Sequence, residues 1–363
     1  MIRMANGTLS VPTQPWMHRH LGLAALSLCA NLPASACARP SGSGSPPVAF
    51  EEVIAAVRET HLEENSEVIN VTPAVTVDPF GGFLVADFRE FQVRKYGGTG
   101  TLLWHTGRRG SGPGEFLAPK TAVRLVNGDV LVAELNTRFT LMDSTGVVVR
   151  RSLETPFYRI EDVEPINDSL ILVSANAFGP PPAGPLLHLW NLRTDTIVRS
   201  FFNPFENTSN ELVATIGGWA EAAVRADTVA VIYSAADSVF LYNLDGERIR
   251  AFQLPSDRRR AVSADDQPSG LTARSRRAFL GGFDLLSDIF WLSDESFLVS
   301  YFSVQPGIPD GRQWHLLHVD AAGGRLFDIR NTARLLTVSE YDTLVFLPPT
   351  SEVPNRWVIA VVR

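Results

Sequence analysis

Residues 107–119 read GRRGSGPGEFLAP, with glycines at 107, 110, 112 and 114. A glycine-rich loop of this kind either cradles phosphate or punctuates two repeated units. A dinucleotide fingerprint needs G-x-G-x-x-G between a strand and a helix, and Gly110-x-Gly112-x-Gly114 has the wrong spacing. A P-loop needs Gly-Lys-Ser/Thr at its end, and no lysine stands in place. The string instead follows one apolar run, Thr101–Trp104, and leads through Pro119 into the next, which starts at Ala122. It reads as a sharp turn between repeats, where glycine supplies backbone conformations closed to other residues.

The repeats bear this out on both sides. Residues 74–104 and 122–151 share one pattern, in which Gly82-Phe-Leu-Val-Ala-Asp87 echoes Asp129-Val-Leu-Val-Ala-Glu134 after 47 residues. Fainter copies fall at 162–201, 221–252, 284–329 and 338–363. Each copy alternates Val, Ile, Leu, Phe and Tyr runs with Gly, Asp, Asn and Pro, which is strand and turn chemistry. Periods of 40–50 residues with four strands each predict the blades of a propeller. The chain is therefore expected to be all-β: a six-bladed β-propeller of four-stranded blades, spanning residues 51–363. The last copy holds only two clear strands. An N-terminal strand, Glu67–Val71, is expected to complete it and close the ring. Helical periodicity is confined to residues 51–58 and 270–280.

The glycine string and the second repeat resemble NHL-type propellers, a family that includes many bacterial exported lipoproteins without assigned activity. The likeness covers residues 74–146. Asn136 and Arg138 match the family's polar pair, and Glu134 stands where Asp is usual. The resemblance implies that Phe116 packs between neighbouring sheets and that Pro119 leads into the next inner strand.

The N-terminus carries an address. The run LGLAALSLCANL, residues 21–32, is too short to span a bilayer. Arg3 and Arg19 precede it and Ala34-Ser35-Ala36 follows, as in a secretory signal over residues 1–36. Met17 is an alternative start. Cys37 directly after the small residues is the expected lipidation site, although the usual leucine of a lipobox is missing. Residues 37–50, rich in Gly, Ser and Pro, form a flexible tether. An exported protein, periplasmic or anchored to the outer membrane through that lipid, is the expectation. The two cysteines, Cys29 and Cys37, leave the folded part without a disulfide.

The formal charge of −7 becomes −9 once the leader's two arginines are gone. That excludes nucleic acid, whose phosphates need a basic surface. No metal-binding cluster and no catalytic motif is recognisable. His315 and His318 are three apart in a strand and make no metal pair. His188, between leucines, reads as a locally satisfied strand residue. Asp78, Asp87, Glu134, Glu161, Asp162 and Glu221 sit near strand ends, where they are expected to cap turns and tie strands. The stretch 256–282 separates the fourth and fifth repeats and carries six arginines. It is longer than a hairpin needs, with a short helix expected from a Ser269 cap. It is a candidate lid, with Arg274, Arg276 and Arg277 facing an anionic ligand, and Arg108 and Arg109 on the same rim.

Two functions follow. The first is a monomeric, cofactor-free binding scaffold for a protein, peptide or glycan in the bacterial envelope. The second is a metal-dependent hydrolase, lactonase or lyase in the central funnel, with calcium as the metal.

Overall fold

The computed structural model describes residues 49–63, 74–135, 138–151, 155–177, 184–207, 218–255, 257–263, 265–266, 272–305, 311–339, 341–347 and 356–362. Within them lie six sheets of four antiparallel strands. Blades one to five occupy residues 74–106, 119–151, 157–201, 220–253 and 284–332 in simple meander order. Blade six takes Arg334–Val338, Thr343–Leu347 and Arg356–Val362, then borrows Ile54–His61 as its fourth strand.

The ring is thus closed by an N-terminal strand, but by Ile54–His61 and not by Glu67–Val71, which lies outside the described residues. Ile54 pairs with Val362 and His61 with Arg356, with a bulge between Ala56 and Arg58. Helix is confined at this end to Phe50–Val53, so most of 51–58 is strand. The physical reason is its edge position. A fourth strand shows one face and one edge to water, so IAAVRETH buries only Ile54 and Thr60 and carries charges between them. Such a segment lacks the apolar run that marks a second or third strand.

Six apolar clusters fill the six blade junctions. Leu84, Val132 and Met142 meet between blades one and two; Leu131, Phe139, Val173 and Trp190 between two and three. Leu187, Val231 and Tyr242 serve blades three and four, and Ile232, Phe297 and Leu317 serve four and five. Leu298, Phe327, Leu344 and Phe346 join five to six, while Val85, Tyr96, Val345 and Trp357 join six back to one. The second strands explain this geometry. Phe83–Asp87 and Val130–Glu134 are buried at all five positions because a neighbouring blade covers each face. A single blade would leave both faces wet, so the sheets stabilise one another.

The glycine string does connect blades. Arg109 and Phe116 form an isolated bridge that pinches it, and Phe116 is fully buried in the first junction. Pro119 opens the first strand of blade two. Gly107 has φ +129°, and a Cβ there would lie 2.3 Å from the Phe91 carbonyl oxygen, so no other residue fits. A second glycine motif recurs in the last hairpins of blades two, four and five: Asp143-x-x-Gly146, Asn243-x-x-Gly246 and Asp320-x-x-Gly323. The side chain of the first residue accepts backbone N–H groups across the turn, as Asp143 does from Thr145 and Val147. The glycine, at positive φ, lies against an aromatic ring of the preceding blade: Trp104, Phe201 and Phe252 respectively. The turns therefore weld the outer rim.

The first and third hairpins of the blades lie on one face of the ring, the hairpin face; the second hairpins and the inter-blade connections lie on the other, the connection face. The insertion after blade four lies on the connection face and holds the helix Ala273–Leu280. Ser269 lies outside the described residues; the Thr272 hydroxyl caps instead, accepting the Ser275 N–H at 3.1 Å. No helix among the described residues is long and apolar enough to cross a membrane.

Candidate functional site

The first strands of blades one to five lie side by side, and that of blade six lies beside blade one's. Their registers identify which residues share a level. Ala74 pairs with Ala86, Thr121 with Ala133, Asp162 with Ser174, Glu221 with Ile232 and Asp288 with Ser300. Each partner follows a valine that faces the preceding blade: Val85, Val132, Val173, Val231 and Val299. Three consecutive blades thus place a carboxyl at one level around the axis: Asp162, Glu221 and Asp288. The first strand of blade six, Arg334–Val338, carries no carboxyl.

A bulge recurs one residue before this level in blades two, three and five, where it sets off Lys120, Glu161 and Ser287. Bulges re-aim side chains at strand ends. Glu161 is answered by Lys120 at 3.4 Å and by Arg159 at 2.5 Å. Asp288 accepts the Ser300 hydroxyl at 2.7 Å. Glu164, two residues beyond Asp162, shares the next level with Thr76, Val123, Ala223 and Phe290.

The electrostatics follow from this crowding. The Asp162, Glu164 and Glu221 side chains keep partial contact with water, yet protein surrounds them on every side, as in a narrow axial channel. Desolvation pushes the Asp162 carboxyl up to about 7; Asp288 and Glu161 add to the rise, and Lys120 opposes it. Desolvation likewise holds Glu221 well above the ordinary carboxylate range, reinforced by Asp162 and Asp288. Glu164 is raised by burial and then by Asp162.

The other sequence-predicted acids behave differently. Asp78 pairs with Lys95, Asp87 with Arg94 at 3.2 Å, and Glu134 with Arg138. Asp87 also accepts the Arg89 and Glu90 N–H groups, and Glu134 that of Leu117 at 2.7 Å. These three cap turns and tie strands, as the sequence suggests. Asn136, the other half of the polar pair, lies outside the described residues.

The predicted arginines belong to two separate connections. Arg108 pairs with Glu115 at 2.8 Å and is largely exposed, while the Arg109 guanidinium lies 5.5 Å from the Phe91 ring. Both belong to the junction of blades one and two. Arg274, Arg276 and Arg277 lie on the helix between blades four and five, across the ring on the same face. Within the same insertion, Arg259 is buried and donates to the Ala236 carbonyl at 3.3 Å. Cys37 lies outside the described residues.

His188 is satisfied locally, with Ser200 Oγ at 2.7 Å and the Ala175 carbonyl at 3.3 Å, and burial depresses it to about 4. His315 meets Ser303 Oγ at 2.7 Å and His318 meets Ser296 Oγ at 2.6 Å, so the two serve separate contacts. Among the described residues no three His, Cys, Asp or Glu side chains converge closely enough to hold a metal ion.

Sequence reasoning missed Asp288 and Glu164. The signal that finds them is the alignment of first strands through their pairing with the second strands, which puts Asp288 level with Asp162 and Glu221.

No protein-family model and no curated protein matches the chain. Solved structures share its fold. A member of the DUF4221 family from Bacteroides vulgatus superposes with a TM-score of 0.60 at 11% identity, over 85% of this chain and 97% of that one. A protein from Bacteroides fragilis, named as exported, gives 0.63 at 12% identity over 87% and 96%. The extracellular domain of a hybrid two-component system from B. thetaiotaomicron gives 0.50 at 10% identity, over 83% of this chain and 35% of that one. At these identities the likeness establishes a common fold: the chain is similar to these structures in architecture.

Proposed function

We propose that this protein is an exported bacterial propeller, related to NHL repeats and held in the cell envelope by a lipid on Cys37, which binds a protein, peptide or glycan. The observation that carries the reading is the inequality of its two faces. Tight hairpins of near-uniform length cover one face, whereas the connection face bears the 254–283 insertion with its arginine-bearing helix. A rigid ring with one elaborated face is the usual form of a recognition platform, because loops can vary without disturbing the core. The leader at residues 1–36 supports export, as do fold relatives named as exported or extracellular. Two acyl chains on Cys37 would give stable attachment to the membrane.

The test is affinity capture from envelope extract with the mature chain as bait, its Cys37 replaced by serine. One partner should be enriched, and the triple variant Arg274→Ala, Arg276→Ala, Arg277→Ala should lose it. Capture that is indifferent to those arginines places recognition elsewhere. Incorporation of a labelled fatty acid into the wild-type chain, and none into Cys37→Ser, checks the anchor.

A further inference from the structure

The first strands of blades three to six end around a half-open cavity of about 350 Å³ on the hairpin face. Its wall includes Glu164 from blade three, Ala223 and Arg225 from blade four, Phe290 and Trp291 from blade five and Val338 from blade six. We propose that this cavity binds a primary ammonium group carried on an apolar stem, the ammonium at the Glu164 carboxyl and the stem against Ala223, Phe290 and Val338. The site is on the opposite face from the arginine-bearing helix and does not depend on the macromolecular ligand proposed above.

The argument starts from Glu164. Among the described residues no side-chain or backbone donor reaches its carboxyl, and the charge that acts on it is Asp162, of the same sign. A half-buried acceptor that lines a cavity and meets no protein donor favours a ligand that supplies one. The facing groups keep the balance acidic. Asp162 lies on its own strand; blade four offers Glu221 and blade five Asp288; Lys120 of blade two is the cation that acts on this layer. Blades one and six present Thr76 and Val338, which do not titrate.

Arg225 rims the cavity but is occupied. Its guanidinium donates to the Leu292 carbonyl at 2.8 Å and the Ser293 carbonyl at 3.0 Å, and it lies 5.8 Å from the centre of the Trp291 ring. It has no ion-pair role at Glu164. A bare divalent ion needs six or more oxygens around it, and the carboxyls do not converge to that extent. An ammonium needs only a few acceptors, and the Phe290 ring and the neighbouring apolar wall suit its stem. An anion would face the carboxyl directly.

Ammonium binding and proton release are linked. Burial and Asp162 raise the Glu164 pKa, so a cation that requires the carboxylate favours loss of its proton, and affinity rises with pH. The mature chain is titrated calorimetrically with n-pentylamine hydrochloride at about pH 8 in two buffers of different ionisation enthalpy. The expected result is one saturable site with net proton release, weakened about tenfold or more in Glu164→Gln, whose melting temperature stays at or above that of the wild type. Val338→Phe fills the cavity without touching a carboxyl and should abolish binding as well. Nα-acetyl-lysine amide distinguishes the source: tighter binding than pentylamine assigns the site to a lysine side chain of a partner protein, weaker binding to a free amine. Absence of saturable binding up to about 10 mM amine, unchanged affinity in both variants, or displacement of the amine by calcium chloride overturns the proposal. None of these outcomes bears on the affinity capture, which reads the other face.

Discussion

Asp78, Asp87 and Glu134 in blades one and two, and Asp162, Glu221 and Asp288 in blades three to five, are six carboxyls that all sit near strand ends in one repeated architecture. The first three each meet a cation on their own blade and backbone N–H groups as well. The second three face the axis and one another. The difference is direction. A residue at the end of a second strand, such as Glu134, points into a blade, where a third-strand arginine can reach it. Asp162, Glu221 and Asp288 stand on first strands, where the neighbours are the same strands of other blades. Three acids in consecutive blades therefore become each other's surroundings: burial and mutual repulsion raise Asp162 and Glu221, where the first three acids are ion-paired.

Breaking a paired acid should have the largest effect. Glu134→Ala leaves Arg138 buried without its carboxylate and frees the Leu117 N–H, and it should cost about 3–5 kcal/mol in denaturant unfolding at neutral pH. Neutralising an axial acid should act in the opposite sense. Asp162 folds with its pKa raised to about 7, so the folded state binds more protons than the unfolded chain between the ordinary aspartate range and that value. Its contribution is full at low pH and is lost as pH rises through about 7. Asp162→Asn should therefore leave stability nearly unchanged near pH 4 and raise it by about 4 kcal/mol near pH 8. A urea series over that range, with Glu221→Gln in parallel, measures it. His188 runs the other way, since its folded pKa of about 4 stabilises the protein above the ordinary histidine value and ceases to as pH falls. Comparing each variant with wild type at every pH separates the two trends.

Smaller changes sharpen the contrast. Lys120 opposes the rise at Asp162, so Lys120→Met should move the Asp162 midpoint above about 7 in a carboxyl-carbon NMR titration. The smallest effect is expected at Arg108, whose pairing with Glu115 is exposed to water. Arg108→Ala should leave the unfolding midpoint where it was, as is common for surface ion pairs.

The blades were legible because second and third strands are buried on both faces and so carry long runs of Val, Leu, Ile and Phe. Gly107, Phe116 and Pro119 were legible for a similar reason: a connection with no space for side chains must be written in glycine. The closing strand was not, because Ile54–His61 is an edge whose five exposed residues read as a surface segment. Asp162 and Glu221 could be named from sequence as residues near strand ends, but their company could not. That company depends on which first-strand positions share a level, and recurrent bulges at Lys120, Glu161 and Ser287 shift the count by one.

Ile54–His61 finds its partner only at Arg356–Val362, with the five other blades lying between them in the chain. Until that strand is made, blade six lacks two adjoining strands and the junction it shares with blade one stays open. The ring therefore cannot lock until both segments are present.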